Sequence, residues 1–219
     1  MVDNHASGGH TSGIVSLHRY SVARLPTPHG EFSLVVYRTG KEVGLGGTAV
    51  GQGPEEHVAM VMGEVAGKHD VLARVHSSCF TGEVLGSQRC DCRGQLDAAL
   101  AAVAAAGQGV IVYLVQEGRG IGLGNKVKAY ALQDAGADTV EANEALGFAS
   151  DQRSYELAAG ILAELQVASV TLMTNNPDKI EGLRAAGTNV AGSQRIWVGE
   201  TEHSASYLAV KKHKLGHMQ

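Results

Sequence analysis

All three cysteines of the chain, Cys79, Cys90 and Cys92, fall between positions 79 and 92. Thiolates are soft ligands suited to zinc, and three protein ligands leave the fourth tetrahedral position open to water. Zinc acidifies such a water toward neutral pH and makes it a usable nucleophile. His76, three residues before Cys79, offers the alternative of a closed structural site of three cysteines and one histidine. Spacing alone leaves catalytic zinc, structural zinc and a metal-free cluster all open.

Other segments carry groups that suit an anion. Gln116-Glu117-Gly118-Arg119-Gly120-Ile121-Gly122-Leu123-Gly124 has glycine at every second position, which lets the backbone approach a ligand. It matches neither G-x-G-x-x-G nor the Gly-Lys-Ser/Thr of a P-loop, which argues against a nicotinamide domain and an ordinary P-loop NTPase. Glu117 can accept paired N–H bonds from a guanine edge, and Arg119 can clamp phosphate; the bland alternative is a glycine turn with a solvated ion pair. In Leu146-Gly-Phe-Ala-Ser-Asp-Gln-Arg153, Ser150 or Asp151 suits a helix cap. Arg153, expected in the first helical turn, opposes the macrodipole unless it faces an anion. Thr174-Asn175-Asn176-Pro177-Asp178-Lys179 offers a hydroxyl, amides and an ammonium, although taken by itself the segment reads better as a well-made helix cap. Tyr130 shares a helical stripe with Leu123 and Val127 and reads as core. Together, a candidate zinc site with Arg74, Arg119, Arg153 and Lys179 points to a zinc hydrolase acting on a phosphorylated small molecule.

Alternating elements must position these groups. Strands are expected at Phe32–Arg38, Val58–Val65, Val71–Val75, Val110–Val115 and Val167–Met173, with a glycine-rich loop at Gly44–Gly53. Helices are expected at Gln95–Ala106, Lys126–Asp134, from Ser150 or Asp151 to Leu165, and from Pro177 to near Ala186. This order implies an α/β fold, layered α/β/α with a mixed sheet and an N-terminal β-rich portion. Residues 1–19 read as a flexible tail and 20–219 as a single catalytic domain.

Composition narrows the class. Hydrophobic residues at 44% and charged residues at 18% describe a globular rather than a disordered chain. A net charge of -4 gives no global attraction for nucleic acid, so phosphate binding must be local. The most apolar stretch, Leu96–Val115, is interrupted by Asp97, Gly107, Gln108 and Gly109 and falls short of the roughly 20 apolar residues of a membrane span. The N-terminus lacks a signal pattern, so the expected compartment is the cytoplasm, where three cysteines do not build a disulfide framework.

Arg74-Val-His-Ser-Ser-Cys79, Arg89-Cys-Asp-Cys92, Gln116-Glu-Gly-Arg-Gly-Ile-Gly122, Ala129-Tyr-Ala-Leu-Gln-Asp134 and Thr174-Asn-Asn-Pro177, in this order, closely resemble GTP cyclohydrolase II, the enzyme that opens riboflavin biosynthesis. The likeness runs from Leu25-Pro-Thr-Pro-His-Gly30 to Lys214-Leu-Gly-His217. It implies that Cys79, Cys90 and Cys92 bind a catalytic zinc. It implies GTP-binding positions at Arg74, Val75, His76, Ser77, Ser78, Gln95, Glu117, Gly118, Arg119, Thr139, Thr174 and Lys179. By the same likeness Asp151 is the proton acceptor, Arg153 the nucleophile and Tyr130 a tyrosine needed for turnover. Magnesium on the triphosphate, a homodimer and release of formate and pyrophosphate are further implications.

The chain also departs from the pattern. Ser78, Val115 and Gln152 stand where members of the family commonly carry Glu, Arg and Glu. With no leading domain for making dihydroxybutanone phosphate, the free-standing form is the expectation. Two rival functions remain: a relative that stops at the formamide or serves a specialised pathway, and a non-catalytic nucleotide-binding module with structural zinc.

Overall fold

Residues 17–40, 55–148, 154–196 and 198 are described in a computed structural model of the chain. Among these residues seven strands form one mixed sheet: β1 (Leu17–Thr27), β2 (Gly30–Thr39), β3 (Glu56–Met62), β4 (Val71–Ser77), β5 (Gly109–Leu114), β6 (Val170–Met173) and β7 (Val190–Gln194). Their order is β1-β2-β3-β5-β4-β6-β7. The first three strands and the β3–β5 pair are antiparallel, and β5, β4, β6 and β7 run parallel. The β-rich N-terminal portion is thus a meander joined to a parallel half with helical crossovers, the arrangement that buries a sheet on both faces.

Among the described residues the helices are α1 (Phe80–Glu83), α2 (Cys92–Ala106), α3 (Gly122–Asp134), α4 (Thr139–Ala145), α5 (Glu156–Glu164) and α6 (Pro177–Ala185), with a tight turn at Glu117–Gly120. Period-2 alternation divides the apolar side chains between two cores. Val71, Ala73, Val75, Val110, Val112 and Leu172 pack with Ile161 and Leu162 of α5 and Leu183 of α6. Phe32, Ile111 and Met173 pack with Ala99 and Val103 of α2. The result is the expected α/β/α layering.

Several boundaries differ from the sequence reading, each for a local reason. β3 ends at Met62 rather than Val65 because Gly63 turns to φ +68. β6 starts at Val170 because residues 167–169 are tied to the end of α5 and to Lys68. β1 begins at Leu17, so the last residues of the expected tail belong to a strand. None of its side chains is fully buried and it is held by pairing with β2, which is why apolar alternation did not reveal it. α5 starts at Glu156, later than the expected Ser150 or Asp151, with Tyr155 at its N-cap. Those two residues, and the Gly44–Gly53 loop, lie outside the described residues. α6 starts as expected, with Pro177 at its first position and Asn176 Oδ1 accepting the Asp178 amide at 3.0 Å.

Among the described residues no helix is long and apolar enough to cross a membrane.

Candidate active site

The parallel strands point their carboxyl ends toward one rim, where α/β sheets bind ligands. β4 delivers Ser77, Ser78 and Cys79 to that rim, and β5 delivers Gln116 and the Glu117 turn. A cavity of about 130 Å³ opens there, lined by Ser77, Ser78, the three cysteines, Glu117–Arg119, Lys126 and Tyr130, among others.

Cys79 caps α1, Cys90 lies in the following loop and Cys92 opens α2. Their sulfurs lie within 4.8 Å of one another, and Cys79 and Cys90 are 3.6 Å apart. Tetrahedral zinc with Zn–S of about 2.3 Å spaces sulfurs by about 3.8 Å, so the donor set fits that ion. Gly82 supplies the room: a Cβ there would sit 2.8 Å from Cys90 Sγ and 3.2 Å from Cys79 Sγ. Hydrogen bonds from Cys90 and Cys92, helped by Lys126, hold the Cys79 thiol far below its ordinary range. Cys90 and Cys92 are pushed up, chiefly as donors to that thiolate. A divalent cation bound here would hold all three as thiolates.

The Glu117 turn is backbone-strained and side-chain anchored. Gly118 and Arg119 both adopt left-handed angles, φ +60 and +62, and the non-glycine residue pays about 1–2 kcal/mol for it. Glu117 Oε1 accepts from Lys126 Nζ at 2.7 Å and from the Gly118 amide at 3.1 Å, and Oε2 accepts from the Phe80 amide at 2.7 Å. Both oxygens are therefore engaged within the protein, and the ion pair is with Lys126 rather than Arg119. Burial pulls the Lys126 ammonium down, but Glu117 and Cys79 together hold it above the usual lysine range.

Tyr130 does not belong to a core stripe. Leu123 and Val127 are exposed, because α3 packs on the Glu117 turn and α4 rather than on the sheet. The Tyr130 hydroxyl lies 3.3 Å from Thr81 Oγ1 and its ring under the Arg89 guanidinium at 5.0 Å. Burial raises its pKa.

Arg74, His76, Gln95, Thr174 and Lys179, also expected to bind nucleotide, are not among the residues that line this cavity. Arg74 donates to the Met173 carbonyl at 2.8 Å and to Gln95 Oε1 at 2.6 Å. Lys179 donates to the Val75 carbonyl at 2.8 Å, and the Val75 side chain is in the α5–α6 core. Thr174 Oγ1 accepts the Asn176 amide at 3.1 Å. His76 is buried with Nε2 2.8 Å from Glu83 Oε1, and burial lowers its pKa. Ser77 Oγ, Ser78 Oγ and Gln116 Oε1, on residues that line the cavity, and the His76 Nδ1 are buried with no partner in the protein; such atoms suit ordered water or a polar ligand. Thr139 opens α4, whereas Asp151, Gln152 and Arg153 lie outside the described residues.

Positions 78 and 115 directly follow the register partners Ser77 and Leu114, so the Glu and Arg expected from the resemblance would be neighbours. Both are replaced here, by Ser78 and Val115, which removes one charge of each sign.

Sequence reasoning assigned no role to Gly82, Glu83, Arg89 or Lys126. Glu83 holds His76 and also accepts from the Tyr113 hydroxyl at 2.6 Å, fastening α1 to β4 and β5. The available signals were the Thr81-Gly82-Glu83 run between the ligand cysteines and the placement of Lys126 four residues before Tyr130.

The family model described as GTP cyclohydrolase II matches residues 18–195. A GTP cyclohydrolase-2 of Pseudomonas syringae pv. tomato is 51% identical over 90% of this chain and 91% of its own length. Those of Aeromonas hydrophila and Klebsiella pneumoniae are 50% and 48% identical, covering 90% and 93% of this chain and 94% and 96% of theirs. A solved two-domain 3,4-dihydroxy-2-butanone 4-phosphate synthase from A. baumannii matches at 20% identity and a TM-score of 0.43, over 86% of this chain and 42% of that one, a likeness too weak to carry an argument.

Proposed function

This chain belongs to the GTP cyclohydrolase II family, and from that membership we propose how its residues open the purine ring of GTP as the first step of riboflavin biosynthesis. One water adds at C8 and the ring opens to a formamide; a second releases formate. A third displaces pyrophosphate at the α-phosphorus, leaving a diaminopyrimidinone ribosyl phosphate. What supports this reading most is the meeting of three sulfurs, Tyr130 and the Glu117–Arg119 turn in one cavity.

In this proposal Cys79, Cys90 and Cys92 hold zinc, which supplies the Lewis acidity that activates water for C8. Tyr130, at the cavity wall, hydrogen-bonds the reacting ring and passes a proton. Ser77 and Ser78 offer their unpaired hydroxyls, and Arg119 its guanidinium, to the nucleotide. Arg74, Val75, His76, Gln95, Gly118, Thr139, Thr174 and Lys179 shape or line the rest of the nucleotide site, with Glu117 fixing the turn. Asp151 accepts a proton. Arg153 acts as a cationic clamp on the α-phosphate, because a guanidinium is always protonated and has no lone pair for covalent attack. Magnesium accompanies the triphosphate, and the working form is a homodimer, to be checked by sedimentation equilibrium.

The test is one incubation with GTP, zinc and magnesium, followed by mass spectrometry. Formate and pyrophosphate, each equal to the GTP consumed, support the full reaction. Pyrophosphate with a retained formyl group would favour the early-stopping relative, the reading that Ser78, Val115 and Gln152 together motivate. Intact GTP with metallated protein would overturn the assignment in favour of a binding module.

A further inference from the structure

Lys126 sits on the first turns of α3 and reaches two groups that belong to different parts of the cavity. Its Nζ donates to Cys79 Sγ at 3.1 Å and to Glu117 Oε1 at 2.7 Å. The other Glu117 oxygen accepts the amide of Phe80, the residue that follows Cys79, at 2.7 Å. These contacts close a ring: Cys79 to Phe80 along the chain, Phe80 to Glu117, Glu117 to Lys126, and Lys126 back to Cys79. The Lys126 and Glu117 side chains are only 12% and 13% exposed, so solvent screens the pair far less than a surface ion pair.

We propose that Lys126 is a positioning residue that couples the cysteine metal site to the Glu117–Arg119 nucleotide turn, its ammonium holding the Cys79 sulfur and the Glu117 carboxylate at once. The inference rests on reading the cysteines as a metal site and the turn as part of the nucleotide site. Three thiolates around a divalent cation carry one net negative charge, and the ammonium offsets it. An N–H donated to a ligand sulfur also draws electron density from it, which leaves the metal a stronger Lewis acid. On the other side, the ammonium keeps Glu117 fastened under a turn whose left-handed residues Gly118 and Arg119 need an anchor. Disturbing one side of the ring is therefore felt at the other.

The experiment uses the full-length protein loaded with cobalt(II), whose thiolate charge-transfer absorption reports directly on the sulfurs. K126M keeps the length and loses the charge; K126R keeps the charge. The expected result is a shifted charge-transfer band in K126M and metal affinity at least tenfold weaker by competition with a chromophoric chelator. A non-hydrolysable GTP analogue should bind wild type more tightly with metal than without, and K126M should lose that difference. K126R should recover the band and most of the affinity. E117Q, which cuts the ring on the opposite side, should lose the metal dependence of analogue binding while Lys126 still reaches Cys79, so the coupling is tested even where K126M does not fold. An unshifted band in folded K126M, or a metal dependence retained in E117Q, overturns the proposal. GTP turnover by wild type is a separate readout: if wild type consumes GTP and binds cobalt through sulfur, a null result in the variants sinks the role of Lys126 alone. If wild type binds no cobalt through sulfur, the metal-site reading and the coupling fall together.

Discussion

A single hydrogen atom at position 82 decides whether the three sulfurs can converge. Gly82→Ala puts a methyl group 2.8 Å from Cys90 Sγ, and the contact is against sulfurs whose positions the proposed metal site requires. The expected outcome is a folded protein whose zinc content, measured by atomic emission after dialysis, falls well below one per chain. Tyr130→Phe tests the opposite kind of residue. It removes a hydroxyl from the cavity wall without changing packing, so zinc content should stay at the wild-type level while kcat falls by about 10²–10⁴-fold, the range of a lost acid–base group. Unchanged kcat would remove Tyr130 from the chemistry. Residue type and spacing were enough to single out the cysteines. They were not enough for Tyr130, which shares a stripe with Leu123 and Val127 but faces a cavity, nor for Gly82, whose importance lies in what a side chain would strike.

At the scale of elements, α1 is the weak member that the site depends on. Four residues cannot hold a helix on their own, and α1 is fastened instead by Glu83, which ties it to His76 of β4 and Tyr113 of β5. Glu83→Gln replaces an acceptor of two hydrogen bonds with a group that must present one donor face. Urea denaturation should show a loss of about 1–3 kcal/mol, together with weaker zinc retention, because α1 carries Gly82 and follows Cys79. The buried strands β4 and β5 and the helix α2 were legible from apolar runs and period. β1 and β7 were not, because edge strands with exposed or polar side chains are specified by the partner they pair with. Helix α4 also carried no clear apolar stripe.

Among the described residues the whole sheet carries two apolar cores, one on each face, and neither includes the cysteines. Chelating the metal should therefore abolish turnover while the far-ultraviolet circular dichroism persists, with a lowered melting temperature from lost ligand linkage. Collapse of the spectrum on chelation would mark the zinc as structural. Stability should also depend on pH. Burial holds His57 below its ordinary pKa, against a smaller opposing pull from Glu55, and its Nδ1 accepts the Val115 amide at 3.1 Å. A folded-state pKa below the unfolded value means that the unfolded chain binds the proton first. Stability is then fully present above about pH 6.5 and is lost as pH falls below it. Urea midpoints at pH 7.5 and 5.5 should differ in that direction, and His57→Gln, which can still accept the Val115 amide, should narrow the gap.

The sequence by itself determined the chemistry available: three soft ligands between positions 79 and 92, a glycine turn with an acid and a base, and alternating apolar runs that make an α/β sheet with both faces covered. These follow from residue type and short-range periodicity, which act over a few bonds. Only the tertiary structure decided which groups meet. Lys126 reaches Cys79 across a separation of 47 residues and Phe80 reaches Glu117 across 37, while Arg74 and Lys179 donate to backbone carbonyls of β6 and β4. Such contacts depend on strand order and on how deeply each side chain is withdrawn from water, which sets both its partners and its charge.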